Sequence, residues 1–427
     1  MQTNFTTEQL KDPKLAEANS ILRTCVHCGF CTATCPTYVL LGDELESPRG
    51  RIYLIKDMLE NGKPATAQVV KHIDRCLSCL ACMTTCPSGV HYAHLIDQAR
   101  VHVEKTYSRP LADRLMRKFL GMVLPSRELF RLAVKSAQTI RPMARAFAFS
   151  PRLRAMLELA PPRLPRRDSL SDAAVTLPHG KRRGRVLMLT GCAQSVLDPA
   201  INAATIRLLT RLGIEVVVPA GAYCCGALNH HLGQEKAAHG RARRLIDVWS
   251  RQIGRGEIDA IIINTSGCGT VIKDYDHMFA EDTLYREKAA RIVALTKDIS
   301  EFLLEREVSF RAPKALKVAY HSACSLQHGQ KITEQPKSLL RRAGYEVIDI
   351  PEGHLCCGSA GTYNLLQPEL AKALKQRKIV NIEALRPDVI AAGNIGCISQ
   401  IRSGTTIPIV HTVELLDWAA GGPQPFP

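Results

Sequence analysis

The sequence predicts an α-helical module followed by a tandem pair of α/β units with parallel sheets, and two observations carry this prediction. Near the N-terminus, two runs of four cysteines share one spacing, Cys25 to Pro36 and Cys76 to Pro87. From residue 185 onward, short apolar strands alternate with helical stretches, and the order repeats once. Such alternation is typical of parallel sheets. We therefore expect four segments: a helical module at 1–100, a basic helical connector at 101–184, and repeat units at 185–312 and 313–427.

Length and composition limit the class of protein. The chain has 427 residues, of which 46% are hydrophobic, which is enough for about three domains. Sixteen cysteines are many for a chain whose first twenty residues lack the apolar core of a signal peptide. We therefore expect metal ligands in a reducing cytoplasm and not disulfides. No apolar run approaches the ~20 residues that span a membrane.

Both N-terminal cysteine runs read C-x2-C-x2-C-x3-C-P, the spacing of [4Fe–4S] sites in bacterial ferredoxins. Three thiolates with two residues between each pair can surround one face of a cluster. The fourth is poorly placed to close the same cluster and crosses to the other cluster. The runs therefore predict a ferredoxin-like module with two [4Fe–4S] clusters. The first cluster is assigned to Cys25, Cys28, Cys31 and Cys86, and the second to Cys76, Cys79, Cys82 and Cys35.

Other uses of these cysteines fit less well. Structural zinc takes four ligands in two well-separated pairs, and disulfides need an oxidising compartment. Covalent haem attachment needs histidine after C-x-x-C, and Gly29 and Met83 stand there. Around the runs, helical spacing of apolar residues predicts helices over 14–24, 52–60 and 66–73, the second after a turn at Ser47–Arg51.

The net charge of +16 is concentrated in one segment. Residues 101–185 hold 19 Lys/Arg and 6 Asp/Glu, a net of +13. Between Arg114 and Lys135 the basic residues alternate with leucines and phenylalanines, which predicts basic amphipathic helices. The segment is either a solvated connector or a docking surface for an acidic partner or an anionic membrane. Nucleic acid fits poorly, because no binding motif accompanies the charge.

Each repeat unit contains four cysteines, two of them in a Cys-Cys-Gly sequence, and we call it a CCG unit. Predicted strands cover 186–189, 215–218 and 260–263 in the first unit, and 317–320, 345–350 and 388–391 in the second. The first three cysteines are offset by 132 residues between units and the last by 129. The cysteines are Cys192, Cys224, Cys225 and Cys268 in the first unit, and Cys324, Cys356, Cys357 and Cys397 in the second.

All eight cysteines follow predicted strands, at the edge where parallel sheets bind ligands. Helix N-termini lower thiol pKa values and favour the thiolate that binds metal. A lone cysteine at a strand end is often only a small buried apolar group, but the repetition of all four positions favours metal. An additional iron–sulfur cluster is preferred to zinc, because the N-terminal runs already indicate electron transfer.

Two ferredoxin runs followed by two CCG units resemble the iron–sulfur subunit of bacterial glycolate oxidase (glycolate dehydrogenase), over residues 20–417. Anaerobic glycerol-3-phosphate dehydrogenase C subunits and heterodisulfide-reductase-like proteins share the layout. In heterodisulfide reductase the CCG unit ends in C-x-x-C and supplies five ligands. Here Cys268 and Cys397 have no cysteine three positions to either side.

The resemblance implies an oxidoreductase subunit that takes electrons from reduced flavin on partner subunits and passes them towards quinone, as glycolate becomes glyoxylate. It implies a cytoplasmic protein, peripheral on the cytoplasmic face of the inner membrane. No catalytic residue is assigned, because no G-x-G-x-x-G run, Walker loop or acid/base constellation is present. The alternatives are a lactate or glycerol-3-phosphate dehydrogenase subunit, or a thiol–disulfide oxidoreductase.

Overall fold

The computed structural model describes residues 1–143, 150–306, 308 and 310–426. Residues 144–149 of the predicted connector, 307 and 309 of the first predicted unit, and 427 of the second lie outside them. The N-terminal part is built of short helices packed round one apolar core that includes Leu22, Ile55 and Leu95. Its helices are α1 (Pro13–Thr24), α2 (Phe30–Ala33), α3 (Pro36–Leu41), α4 (Pro48–Glu60), α5 (Ala67–Asp74), α6 (Ala81–Thr85) and α7 (Tyr92–Thr106).

The described residues of the basic segment form three amphipathic helices and one strand. Helices α8 (Leu111–Val123), α9 (Arg127–Ile140) and α10 (Pro151–Leu159) are followed by β1 (Ala174–Thr176). The sequence predicted a helical connector and did not predict β1, which pairs antiparallel with a strand of the first CCG unit. Three residues carry too little alternation to predict a strand. In the part of the chain that the structure describes, no helix is long and apolar enough to cross a membrane.

Among the described residues each CCG unit has one sheet, and the strand order is the same in both apart from β1. The first sheet has the order β1-β3-β2-β4-β5 and the second β7-β6-β8-β9. Every pair is parallel except β1 with β3. The strands are β2 (Gly184–Leu189), β3 (Ile214–Val218), β4 (Ala260–Ile263), β5 (Thr296–Asp298), β6 (Lys317–His321), β7 (Glu346–Asp349), β8 (Val389–Ala392) and β9 (Ile409–His411).

Helices cover both sheets, as parallel strands require. Both sheets contribute to a single apolar core, in which Val186 and Met188 of the first sheet join Val318 and Ile390 of the second. The two units therefore pack as one body. The helices are α11 (Gln194–Leu197), α12 (Ala200–Arg211), α13 (Ala227–His231), α14 (Glu235–Ile253), α15 (Ser266–Ile272), α16 (Tyr275–Met278), α17 (Arg286–Leu295), α18 (Ile299–Leu304), α19 (Gln335–Arg342), α20 (Tyr363–Leu366), α21 (Pro368–Ala384), α22 (Ile395–Arg402) and α23 (Thr412–Ala419).

The predicted fold class is confirmed: a helical module precedes two repeated α/β units with predominantly parallel sheets. The predicted helices over 14–24 and 66–73 agree with α1 and α5 within a residue. Helix α4 begins earlier than predicted, at Pro48, because the Ser47 side chain accepts a hydrogen bond from the Gly50 N–H and caps it.

Candidate metal centres

The two N-terminal cysteine runs fold into loops with the same backbone. In the first loop His27 and Gly29 flank the middle cysteine with φ of +56° and +87°. In the second loop Ser78 and Leu80 occupy the same places with φ of +48° and +62°. Residues other than glycine rarely adopt this left-handed conformation. Turns of this kind aim successive N–H groups into a concavity that holds anions and Fe–S clusters.

Each loop lines its own small cavity, and the fourth cysteine of each run lines the cavity of the other loop. The first cavity is bordered by three cysteines of the first run, Cys25, Cys28 and Cys31, together with Cys86; Cys82 also borders it. The second cavity is bordered by Cys76, Cys79, Cys82 and Cys35. The donor sets suit iron–sulfur clusters, because five thiols border the first space and four border the second.

Burial makes these thiols costly to ionise without a cation. Desolvation raises the pKa of Cys31 to about 11 and holds the pKa values of Cys79 and Cys82 well above the usual range. A metal ion removes that cost, because a coordinating thiol is deprotonated outright. Of the eight cysteines, only Cys28 is exposed.

Hydrogen-bond donors face the sulfur atoms of the second cavity. The Thr37 hydroxyl lies 3.3 Å from the Cys35 Sγ, and Arg51 donates from Nη1 to the same sulfur at 3.8 Å. Tyr92 donates from its hydroxyl to the Cys76 Sγ at 3.7 Å. Donors to sulfur are one of the means by which a protein sets the potential of a cluster. The cysteine pattern did not single out Arg51 or Tyr92, because each lies sixteen residues along the chain from the cysteine that it contacts.

The eight CCG cysteines all border one larger cavity of about 350 Å³, which we call the inter-unit cavity. Helices α8, α9 and α10 supply an apolar part of its wall, which includes Leu120, Val134 and Met156. Cys76 and Cys79 of the N-terminal module also border it. The cavity therefore adjoins three groups of cysteines.

The vicinal cysteines sit in identical turns in the two units. The Gly226 N–H donates to the Cys224 Sγ at 3.4 Å, and the Gly358 N–H donates to the Cys356 Sγ at 3.4 Å. Both glycines have φ of +86°. A Cβ at Gly358 would lie 2.5 Å from the Ala371 carbonyl oxygen of α21, so both conformation and helix packing require glycine.

The thiols within each unit contact one another in a different pattern. In the first unit Cys192 is hydrogen-bonded to Cys224, and Cys225 is hydrogen-bonded to Cys268. The first of these contacts lowers the pKa of the Cys224 thiol to about 7. In the second unit contacts run through the whole set, from Cys324 to Cys356, Cys357 and Cys397.

The second set has an additional neighbour that the sequence did not single out. A ring nitrogen of His321, at the end of β6, lies within 4.8 Å of the sulfur atoms of Cys357 and Cys397. Burial lowers the pKa of His321 to about 3, so its imidazole is neutral. Comparison of the two repeats could have found it, because Leu189 occupies the same position three residues before the first cysteine of the first unit.

Comparison with known proteins agrees with this layout. A family model described as "4Fe-4S dicluster domain" matches residues 21–90, and a "Cysteine-rich domain" model matches 186–273 and 318–402. The glycolate oxidase iron-sulfur subunit of Escherichia coli strain K12 is 43% identical over 98% of this chain and 99% of its own length. The chain belongs to the glycolate oxidase iron–sulfur subunit family. The probable glycolate oxidase iron-sulfur subunit of Bacillus subtilis strain 168 is 31% identical over 94% of both chains.

A further relative of this glycolate oxidase iron–sulfur subunit family covers part of the chain. Lactate utilization protein A of Bacillus licheniformis is 27% identical over 55% of this chain and 99% of its own length. The resemblance inferred from the cysteine pattern is thus confirmed. The chain is an iron–sulfur component of an oxidoreductase complex, and its family includes subunits that act with other subunits.

Proposed function

We propose that this chain is the electron-transfer subunit of a flavin-dependent glycolate dehydrogenase complex. It accepts electrons from reduced flavin on a partner subunit, which also binds the substrate, and passes them towards quinone as glycolate is oxidised to glyoxylate. The observation that carries the proposal is the pair of four-cysteine cavities in a chain that is 43% identical to a glycolate oxidase iron-sulfur subunit. Iron–sulfur clusters, when bound, supply one-electron chemistry at these sites.

The proposal includes the crossed ligand sets. Support comes from the two cavities, since Cys86 borders the first and Cys35 the second. It also includes the segment boundaries 1–100, 101–184, 185–312 and 313–427. Support for these comes from the separate core of the N-terminal helices and from one sheet in each CCG unit.

Electrons enter, in this proposal, at the first cavity. Cys28 is exposed there, and Val26 and Phe30 beside it are 66% and 64% exposed. Tyr53 on the adjacent face is 60% exposed. Exposed apolar residues round a redox site suit contact with a partner subunit. The flavin subunit is the partner proposed for this face.

Electrons leave through the second cavity towards the CCG cysteines. Leu77, between two cysteines of the second run, packs in one apolar cluster with Cys324, Cys356 and Tyr363. We propose an iron–sulfur centre on the CCG cysteines, with zinc or a purely docking role as the alternatives. The neighbouring inter-unit cavity, apolar and of a size typical of small-molecule sites, is proposed for the quinone.

Helices α8 and α9 are proposed to lie on the cytoplasmic face of the inner membrane. Their exposed apolar residues include Leu111, Leu115, Met122 and Leu132, which are 53–62% exposed. Lysines and arginines are interleaved with them along the same helices. An apolar face flanked by cations binds the interface of anionic membranes. The test is flotation with anionic vesicles: Leu115→Asp with Leu132→Asp should abolish flotation, whereas Val380→Asp, at an exposed apolar site on α21, should not.

The function is tested by reconstituting the chain anaerobically with the flavin subunits of a glycolate oxidase. Glycolate should reduce the clusters and then a short-chain quinone. Reduction of the clusters by lactate or glycerol 3-phosphate in place of glycolate would assign the complex to a related dehydrogenase. The similarity to lactate utilization protein A supports the lactate alternative. Activity of the isolated chain on a heterodisulfide would instead make it a thiol–disulfide oxidoreductase.

A further inference from the structure

The second CCG unit contains a buried histidine with no evident structural task. His321 is 1% exposed, and within the described residues its Nε2 has no hydrogen-bond partner. A buried imidazole nitrogen without a partner destabilises the folded protein, because it has lost its hydrogen bond to water. An unpartnered buried group of this kind needs an explanation, and a bound ion is one that can be tested.

The surroundings of His321 show what would complete it. Its ring nitrogen and the sulfur atoms of Cys357 and Cys397 lie within 4.8 Å of one another, and all three residues are buried. Imidazole nitrogen and thiolate sulfur bind zinc and iron at about 2.0–2.3 Å, so ligands of one ion lie 3–4 Å apart. The three atoms therefore bracket a space of the size that one metal ion takes.

The first unit provides an internal comparison. Position 189, offset by the same 132 residues, is a leucine in the core of the first unit. The first unit thus offers four thiols, whereas the second offers four thiols and an imidazole. The fold is otherwise the same, with equal strand order and equal Cys-Cys-Gly turns. The difference lies in the ligand set and not in the scaffold.

We propose that His321 is a metal ligand of the second CCG unit, which makes its centre different from any centre of the first unit. The inference rests on the proposed function only in naming the metal, which is iron of an iron–sulfur cluster. When the neutral imidazole takes the place of one of the four thiolates on the cluster, it raises the potential of the cluster. The second unit would accordingly hold the higher-potential centre, the later one on the path of the electrons.

The test uses the full chain purified anaerobically, with ¹⁵N-labelled histidine in one sample. Pulsed EPR of the signal beyond those of the two N-terminal clusters should show nitrogen coupling that changes with the label. His321→Leu, which copies position 189, should remove the coupling and speed loss of that metal to a chelator about tenfold or more. His321→Cys should restore retention without the coupling.

The matched control is His411→Gln. His411 ends β9 of the same sheet and is also 1% exposed, and among the described residues its Nε2 likewise has no hydrogen-bond partner, but it is not in the group with Cys357 and Cys397. This variant should leave coupling and metal retention unchanged. Retention and coupling unchanged in His321→Leu would overturn the inference.

Metal analysis separates this inference from the proposed function. If the extra metal is zinc and His321→Leu still releases it, the ligand assignment stands and the iron–sulfur proposal for the CCG cysteines fails. If the extra metal is iron and His321→Leu retains it, the iron–sulfur proposal for the CCG cysteines stands and the assignment of His321 as a ligand fails. If the second unit binds no metal in the full chain, the assignment of His321 is wrong.

Discussion

Arg51 provides the sharpest perturbation of the second cavity. Its guanidinium is 1% exposed and donates to the Glu46 carboxylate at 2.8 Å, the Thr37 hydroxyl at 3.0 Å and the Cys35 Sγ at 3.8 Å. Burial works to lower the pKa of Arg51, but the negative charges of Cys76, Cys35 and Glu46 outweigh it and raise the pKa. Arg51 is therefore a permanent cation against the proposed ligand Cys35.

Replacing Arg51 by methionine should lower the potential of the second cluster. A unit charge 3.8 Å away, at an effective dielectric constant of about 20, contributes roughly 4 kcal/mol, or about 180 mV for one electron. The Glu46 carboxylate opposes it at close range. We therefore expect a net decrease of about 50–100 mV in Arg51→Met, because loss of a cation disfavours the more negative reduced cluster.

The same change should weaken folding. Glu46 is fully buried and keeps only His72 and Arg75, at 2.8 and 2.7 Å, when Arg51 is lost. Removing one partner of a buried pair costs about 3–5 kcal/mol, and the two remaining partners place the expected loss near the lower end. Adding Glu46→Gln removes both charges and should restore part of the potential.

The assay is an anaerobic redox titration followed by EPR. Arg49→Met is the control: Arg49 donates from Nη1 to the His27 carbonyl at 3.3 Å, beside the first cavity. Arg49→Met should shift the potential of the first cluster and leave the potential of the second cluster unchanged. A second-cluster potential unchanged in Arg51→Met, or a shift confined to the first cluster, would refute the reasoning.

Three further predictions concern ligation, pH and backbone. Cys35→Ser should damage the cluster held by Cys76, Cys79 and Cys82; loss of the other signal in EPR would show that ligation is not crossed. Burial lowers the pKa of His94, but hydrogen bonds to Asp274 and Glu17 outweigh it and raise it from 6.5 to about 9. The stability that protonated His94 contributes should thus be complete below about pH 6.5 and lost as the pH rises through 9. The thermal unfolding temperature of His94→Gln should therefore lie below that of the parent protein at pH 6 and approach it above pH 9. Gly358→Ala should cost about 2–3 kcal/mol in chemical unfolding, whereas Gly421→Ala, with φ of +87° and no atom within 4 Å of the new Cβ, should cost less; equal losses would mean that contact with α21 is unimportant.

The parts of the fold that could be predicted depend on local pattern. Cysteine spacing identified both N-terminal loops, because the ligands of one loop are neighbours in sequence. Apolar strands such as Ala260–Ile263, followed by helical stretches, predicted the parallel sheets. The repeat offset predicted two units with the same order of elements along the chain, and in the structure the two sheets have the same strand order apart from β1.

The remainder depends on contacts between distant residues. In the sequence Arg51 is one of several charged residues near a turn, and nothing local predicts that Glu46 and Thr37 accept hydrogen bonds from it in the fold. The connector could not be predicted to wall a cavity, because its apolar face has no partner within the segment itself. Likewise, His321 can be recognised as a candidate metal ligand only in the fold, where β6 places it beside Cys357 and Cys397.

Iron and acid-labile sulfide per chain, measured on anaerobically purified protein together with EPR of the reduced sample, test the central claim most directly. We expect two interacting [4Fe–4S] signals, more than eight irons per chain, and an additional signal from the CCG cysteines. Eight irons with the two signals and no more would make the CCG units docking or zinc modules. Fewer than eight irons in intact protein, with no interaction between signals, would contradict the electron path through the N-terminal module.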